Sequence, residues 1–318
     1  MFGPSATVVE VRVHRGGVRS GTVASIADRR ALAIVNPAAG SGRASSLAPR
    51  LARVLRDAGL PTDVVQLPYP GEGPRLAADA AAEGYDVVIA VGGDGTANEV
   101  ANGLLGSRAA LALYPIGSGN DFARALGYPE RASDLPSFLA RGTRRTVDTG
   151  EANGRVFLNA AGVGIDGEVA ARARSHARVF GPRLAYATAS LAAIAMYRPL
   201  QMTVRLDGVE RSGRFLVALA SNGTHFGRGM WCAPDARLDD GLFDVTLAGA
   251  LGRIASIRAM ARLYKGTHVD GRTIVASRAR AVDIQLERAA PAQIDGDLVH
   301  VSRLSMRVRP SSLQVIAA

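Results

Sequence analysis

The chain reads as α/β plus β, an N-terminal domain built on a mainly parallel sheet followed by an antiparallel β-rich domain. Three observations predict it. Between residue 30 and about 148, apolar β-runs alternate with helical patterns, and several of the runs end in a glycine-bearing loop. Beyond Asp148 the texture changes to short strands separated by turn dipeptides. The length of 318 residues, 47% hydrophobic and 21% charged, suits about two folded domains and excludes a disordered or fibrous chain.

Residues 1–30 read as an N-terminal extension with a short strand at 7–13 and a Gly/Arg/Ser-rich stretch. The run Ala31-Leu32-Ala33-Ile34-Val35 is a continuous buried-strand pattern stopped by Asn36-Pro37, and 47–58 follows with helical periodicity. Further strands are expected at 62–67, 86–91 and 111–115, with helices at 73–83, 96–105 and from Asp121. These units make 31–148 the first domain. The second, 149–302, has expected strands at 156–160, 201–206, 214–220, 243–248 and 282–286, with turn signals at Asp207-Gly208 and Asp240-Gly241. A helix-rich insertion at 168–197, broken at Gly181-Pro182, and an amphipathic stretch at 253–264 interrupt it.

Composition removes several function classes. No uncharged apolar run reaches the roughly 18 residues of a membrane span. Glu10, Arg12, Arg15 and Arg19 interrupt any signal-peptide core, so a cytoplasmic protein is expected. The single Cys232 forms no internal disulfide or thiolate cage, and the five histidines contain no HxxxH pair. The net charge of +10 rests on arginine, since Lys265 is the only lysine. Such a surface attracts nucleic acid, an anionic leaflet or a phosphorylated substrate. With 5% aromatics and no basic-aromatic stripe, nucleic acid is not expected.

Three glycine-rich loops follow strands of the first domain: 36–43 (NPAAGSGR), 92–99 (GGDGTANE) and 115–122 (PIGSGNDF). Strand C-termini of an open α/β sheet form its ligand crevice, so the three can meet at one site. Glycine lets backbone amides approach oxygen closely, and each following helix offers its positive end, which is how phosphate is held. Taken singly, each loop can equally be a plain connection, and Asp94 or Asp121 a helix cap. Taken together, they point to a polyphosphate, with Asp94 and Asp121 sharing a Mg²⁺ and Thr96, Ser118 and Asn120 adding neutral donors. The GxxxxGK[ST] loop and GxSxG are absent, and Gly162-Val163-Gly164-Ile165-Asp166-Gly167 lacks the later acid that a dinucleotide ribose needs.

The order and spacing of Asn36-Pro37, GGDGTANEV (92–100) and PIGSGNDFARALG (115–127) resemble the diacylglycerol kinase catalytic family, and within it the bacterial lipid kinases related to sphingosine and ceramide kinases. The resemblance runs from about residue 31 to the C-terminus. It implies a Rossmann-like, NAD-kinase/diacylglycerol-kinase-like first domain and a C-terminal antiparallel β-sandwich, with the active site in the cleft between them and 303–318 returning to the first domain. ATP would rest on Asn36, Ser41, Gly42, Arg43, Gly92, Gly93, Gly95, Thr96, Gly117, Ser118, Gly119 and Asn120, with Asp94 and Asp121 holding Mg²⁺. Asp295, in Asp295-Gly296-Asp297, corresponds to the proposed general base of a DGE motif, and Asp297 departs from its glutamate. Asp166 would contact the acceptor lipid. Asp240, with the main-chain oxygens of Arg237 and Leu242, corresponds to a metal-binding turn that can also be a plain hairpin turn. Asp148 would join the Asp94 and Asp121 network. Arg228 can contact an anionic substrate or face solvent.

The implied reaction is transfer of the γ-phosphoryl of ATP to a lipid hydroxyl, diacylglycerol giving phosphatidic acid. The alternatives are a same-fold kinase for a soluble alcohol and a non-catalytic nucleotide sensor; a NAD kinase would need contacts that are not identifiable. The partners expected are a lipid met transiently at the inner face of the membrane and a second copy of the chain as a homodimer; 168–197, with its four arginines, can lie on an anionic bilayer or be a plain solvated helix face.

Overall fold

The structure, a computed structural model, describes residues 29–318, so the strand expected at 7–13 lies outside the described residues. The first domain runs β1 (Ala31–Val35), α1 (Arg43–Asp57), β2 (Thr62–Gln66), α2 (Gly73–Ala82), β3 (Val87–Gly92), α3 (Asp94–Leu104), β4 (Ala110–Pro115), α4 (Asp121–Ala125) and α5 (Leu135–Arg141). Its strands are parallel in the order β4-β3-β1-β2. β3 is buried at all six positions, as a strand covered on both faces must be. Because the strands share one direction, the loops after β1, β3 and β4 open on the same edge. α1 packs through Ala44, Ala48, Leu51 and Leu55, a 4-3-4 spacing that keeps one stripe on the core. It starts four residues earlier than expected and carries Pro49 inside, because left-handed Gly42 (φ 86°) ends the loop at once.

The chain continues through β5 (Thr143–Ala152), β6 (Arg155–Phe157), β7 (Ala160–Gly164), α6 (Ile165–Met196), β8 (Leu200–Leu206), β9 (Val209–Ser221), β10 (Phe243–Gly249), α7 (Arg253–Leu263), β11 (Ile274–Ala279), β12 (Ala281–Ile294) and β13 (Asp297–Ala317). β8 and β9 form a hairpin through Asp207-Gly208, both at positive φ. β9 and β12 are long enough to pair with β8 at one end and β7 at the other, folding the strands around a core that includes Phe157, Val204, Phe243, Ile284 and Leu304. β13 spans both halves: residues 297–307 pair with β12, whereas 306–317 pair with β5 and Val315 pairs in parallel with Leu111 of β4.

Two further elements differ from expectation. The strand expected at 156–160 is interrupted at Leu158 and Asn159, whose amides turn to a carboxylate described below. α6 is unbroken at Gly181-Pro182, since a proline removes one N–H bond and the rest of a 32-residue helix retains its own. Among the described residues no helix is long and apolar enough to cross a membrane.

Candidate active site

The three glycine-rich loops meet. Asn36 Nδ2 donates to Thr96 Oγ1 at 3.0 Å, joining the first loop to the second. A methyl on Gly117 would sit 2.5 Å from the Cα of Gly93, so the second and third loops touch backbone to backbone and only glycine fits there. Gly40, Ser41 and Gly42 are all left-handed, a conformation that can turn successive amides to one side. Arg43, expected on the nucleotide, folds back to donate from Nε to the Gly40 carbonyl at 2.9 Å.

Asp94 opens α3 and accepts the amides of Asn120 (2.7 Å) and Phe122 (3.2 Å), locking the third loop to the second. Burial, reinforced by the neighbouring Asp121 carboxylate, pushes Asp94 up to about 6. Asp121 is itself buried and committed: Oδ1 pairs with Arg124 Nη1 (2.9 Å) and accepts the Gly229 amide (2.8 Å), while Oδ2 accepts the Arg228 amide (2.9 Å). Asp121 thereby clasps the second domain's 226–230 loop to the glycine-rich loops, and its Oδ2, with one donor, keeps a lone pair on the side of Asp94. Asp94 meets only backbone donors and keeps spare lone pairs, so the residues fit a cation at Asp94.

Asp295 and Gly296 form the turn between β12 and β13, at φ 49° and 85°. The Asp295 carboxylate accepts four donors: the amides of Leu158 (2.6 Å), Asn159 (2.9 Å) and Ala160 (3.1 Å), and Asn98 Nδ2 (2.9 Å). Burial raises its proton affinity, and those donors oppose the rise. Asp295 borders two cavities. One is a polar cleft shared with Asp94, Ser118, Gly119, Asn159 and Phe226. The other lies between Asn98, Asn102 and the Arg155–Asp297 ion pair (2.9 Å), which is how this chain uses its Asp297.

Beside the cleft lies an apolar pocket of about 150 Å³ lined by Val169, Leu216, Leu219, Phe226, Met260 and Leu263 among others. Asp166 lies on its wall at the start of α6 with both carboxylate oxygens buried, and burial pushes it up to about 6 against the weak, poorly aligned donors of Gly167 and Gln293. His268, also on this wall, is buried, which lowers its proton affinity.

The remaining expected residues lie elsewhere. Asp148 accepts the amides of Gly241 and Ser311, both at 2.7 Å, so its carboxylate ties β5 to the Asp240 turn and to a kink in β13 rather than to Asp94 and Asp121. In that turn Asp240 Oδ1 accepts the Leu242 amide (3.1 Å), and Arg237 pairs with Asp239 (3.4 Å). Buried Asp240 Oδ2 and Asp244 Oδ2 lack hydrogen-bond partners and suit a cation, although Arg278 already brings its guanidinium within 3.8 Å of Asp240 and 3.3 Å of Asp244. Among the described residues no group of three or more His, Cys, Asp or Glu side chains is placed to hold a metal. Sequence reasoning gave no role to Asn98, Asn159, Arg124 or Phe226. Asn98 and Arg124 sit inside the quoted motifs, so only the long-range fold reveals what they touch.

The comparisons agree with this fold. Residues 30–152 match the diacylglycerol kinase catalytic domain and 159–317 the YegS C-terminal NAD kinase beta sandwich-like domain. The chain is 30% identical over 275 residues to a diacylglycerol kinase of Bacillus subtilis, covering 85% of this chain and 90% of that one. It is 31% identical over 296 residues to a diacylglycerol kinase of Mycobacterium tuberculosis, covering 89% and 94%. The fold matches the crystal structure of a diacylglycerol kinase from Bacillus anthracis with a TM-score of 0.72 at 23% identity, over 91% of this chain and 97% of that one. An α/β domain whose glycine loops converge, a β-sandwich closing over them, and relatives along nearly the whole length lead to one conclusion: the chain belongs to the diacylglycerol kinase family and is an ATP-dependent kinase.

Proposed function

We propose that this kinase transfers the γ-phosphoryl group of ATP to a lipid hydroxyl, with diacylglycerol as acceptor and phosphatidic acid as product. The observation that supports it best is a shared wall: Phe226 borders both the polar cleft of Asp94 and Asp295 and the apolar pocket. An acceptor with its hydroxyl in the cleft can therefore lay an acyl chain in the pocket. A soluble alcohol would leave that lining unused.

The loop amides around Gly93 and Gly117 cradle the nucleotide phosphates. The acceptor oxygen bonds to the γ-phosphorus as the bond to the bridging oxygen breaks, ADP leaves, and Asp295 takes the hydroxyl proton. An ionised carboxylate has about four lone-pair sites, and all four are occupied at Asp295. Three of its donors are fixed backbone amides, so Asn98 is the one that yields to the incoming hydroxyl. Asp94 would hold Mg²⁺, which neutralises charge on the transferring group. Asp166 accepts a polar group of the acceptor at the pocket wall.

Competition between acceptors tests the reading. Dioctanoylglycerol should be phosphorylated at least ~100-fold better than glycerol in kcat/KM, because each buried methylene contributes about 0.8 kcal/mol. Equal use of the two would overturn it.

A further inference from the structure

Building on the lipid-kinase reading above, we propose that α7 is the element that docks this protein on an anionic bilayer. The helix roofs the apolar pocket through Ser256, Ala259, Met260 and Leu263, an i, i+3, i+4, i+7 stripe. Only Ser256 of its eleven residues is buried, so most of the helix is turned away from the protein. The outer surface is apolar where a solvated helix would be polar: Ile254 is 69% exposed, Ile257 47% and Tyr264 50%. Trp231, 43% exposed, adjoins the end of α7, its amide donating to the Leu263 carbonyl at 3.0 Å.

Charge selects the partner. Arg253, Arg258, Arg262 and Lys265 lie on or just beyond α7, and the sequence has no acid between Asp244 and Asp270. All four are exposed, and none forms an ion pair among the described residues. An outward apolar stripe beside unpaired cations, with a tryptophan and a tyrosine at its end, fits the headgroup layer of an anionic membrane. Docking there brings the roof of the pocket to the bilayer that supplies the acceptor. Of the two readings that the sequence leaves open for 168–197, the bilayer face and the solvated face, neither is needed for docking through α7. Within 168–197 Arg172 is paired with Glu168 (2.6 Å), and the side chains of Arg174, Arg178 and Arg183 lie outside the described residues.

Trp231 is the only tryptophan, so its fluorescence reports from the patch itself. With equimolar phosphatidylcholine/phosphatidylglycerol vesicles its emission should shift to the blue and the protein should float with the vesicles, and about 0.5 M salt should reverse both. Phosphatidylcholine vesicles alone should give much weaker binding. Arg258→Gln/Arg262→Gln should weaken vesicle binding by about 25-fold, each cation near an anionic surface being worth roughly fivefold. Ile254→Ser/Ile257→Ser should abolish the blue shift. Both variants should keep wild-type transfer to dioctanoylglycerol in detergent micelles, which also shows that they fold. Vesicle binding equal to wild type in both variants, or flotation with no change in Trp231 emission, would overturn α7 as the docking element. Wild-type protein that floats through α7 but phosphorylates no lipid would overturn the lipid-kinase reading and leave the docking surface standing.

Discussion

Asp166 and Asp94 are the residues at which the proposed function would oppose stability. Both are carboxylates pushed up to about 6, Asp166 by burial and Asp94 by burial together with Asp121. Each binds its proton more tightly folded than unfolded, so each favours folding fully below about pH 4 and loses that contribution as pH rises through about 6. Above that range each is a poorly solvated charge. Asp166→Asn should therefore stabilise the protein by about 1–2 kcal/mol at pH 8 and hardly at pH 4, while reducing turnover of lipid acceptors. Thermal melts at the two pH values check this, and a loss of stability at pH 8 would refute it. Asp94 sets a second expectation: kcat/KM for ATP should fall as pH drops through about 6, because a protonated Asp94 no longer offers charge to a cation. A profile flat from pH 8 to pH 5 would count against Asp94 as the cation's holder.

At the scale of elements, the contact between the second and third loops carries the phosphate site. Gly117→Ala places a methyl against the Cα of Gly93 and must part the loops. A shift of about 1 Å at a site that works by alignment costs on the order of 10²-fold in kcat. Steady-state kinetics with unchanged far-ultraviolet dichroism would identify this effect, and near-normal kcat would exclude it. These loops were legible in the sequence because glycine, proline and aspartate cluster only where backbone must approach backbone or phosphate. The strand interruption at Leu158 and Asn159 was not, since its cause, Asp295, is more than 130 residues away. β13 was only partly anticipated, because Pro310 and left-handed Ser311 (φ 48°) break its alternation just where Asp148 accepts the Ser311 amide. The partners of Asp121 were not legible either, because Arg124 is met through the turn of α4 and the 228–229 amides come from more than 100 residues away.

For the whole molecule, β13 is a covalent girder common to both halves. Its first half pairs with β12 and its second half with β5 and β4. The two halves should therefore unfold in one transition. Leu313, buried against Val147 in the first-domain portion, gives the check. Leu313→Ala should destabilise by about 2–5 kcal/mol and lower the midpoint seen by Trp231 fluorescence, in the distant half, as much as that seen by dichroism. Separate midpoints would show two independent domains. The same continuity fixes the cleft shared by Asp295, in the turn that leads into β13, and Asp94, at the start of α3. The reaction proposed for that cleft is phosphoryl transfer. Its most direct measurement is mass-spectrometric identification of the product formed from ATP, Mg²⁺ and diacylglycerol in mixed micelles, by wild type and Asp295→Asn. Wild type should give phosphatidic acid and ADP in equal amounts, and the variant a rate lower by about 10²–10⁴-fold. ATP consumption without phosphorylated lipid, or an undiminished rate in Asp295→Asn, would contradict the proposal.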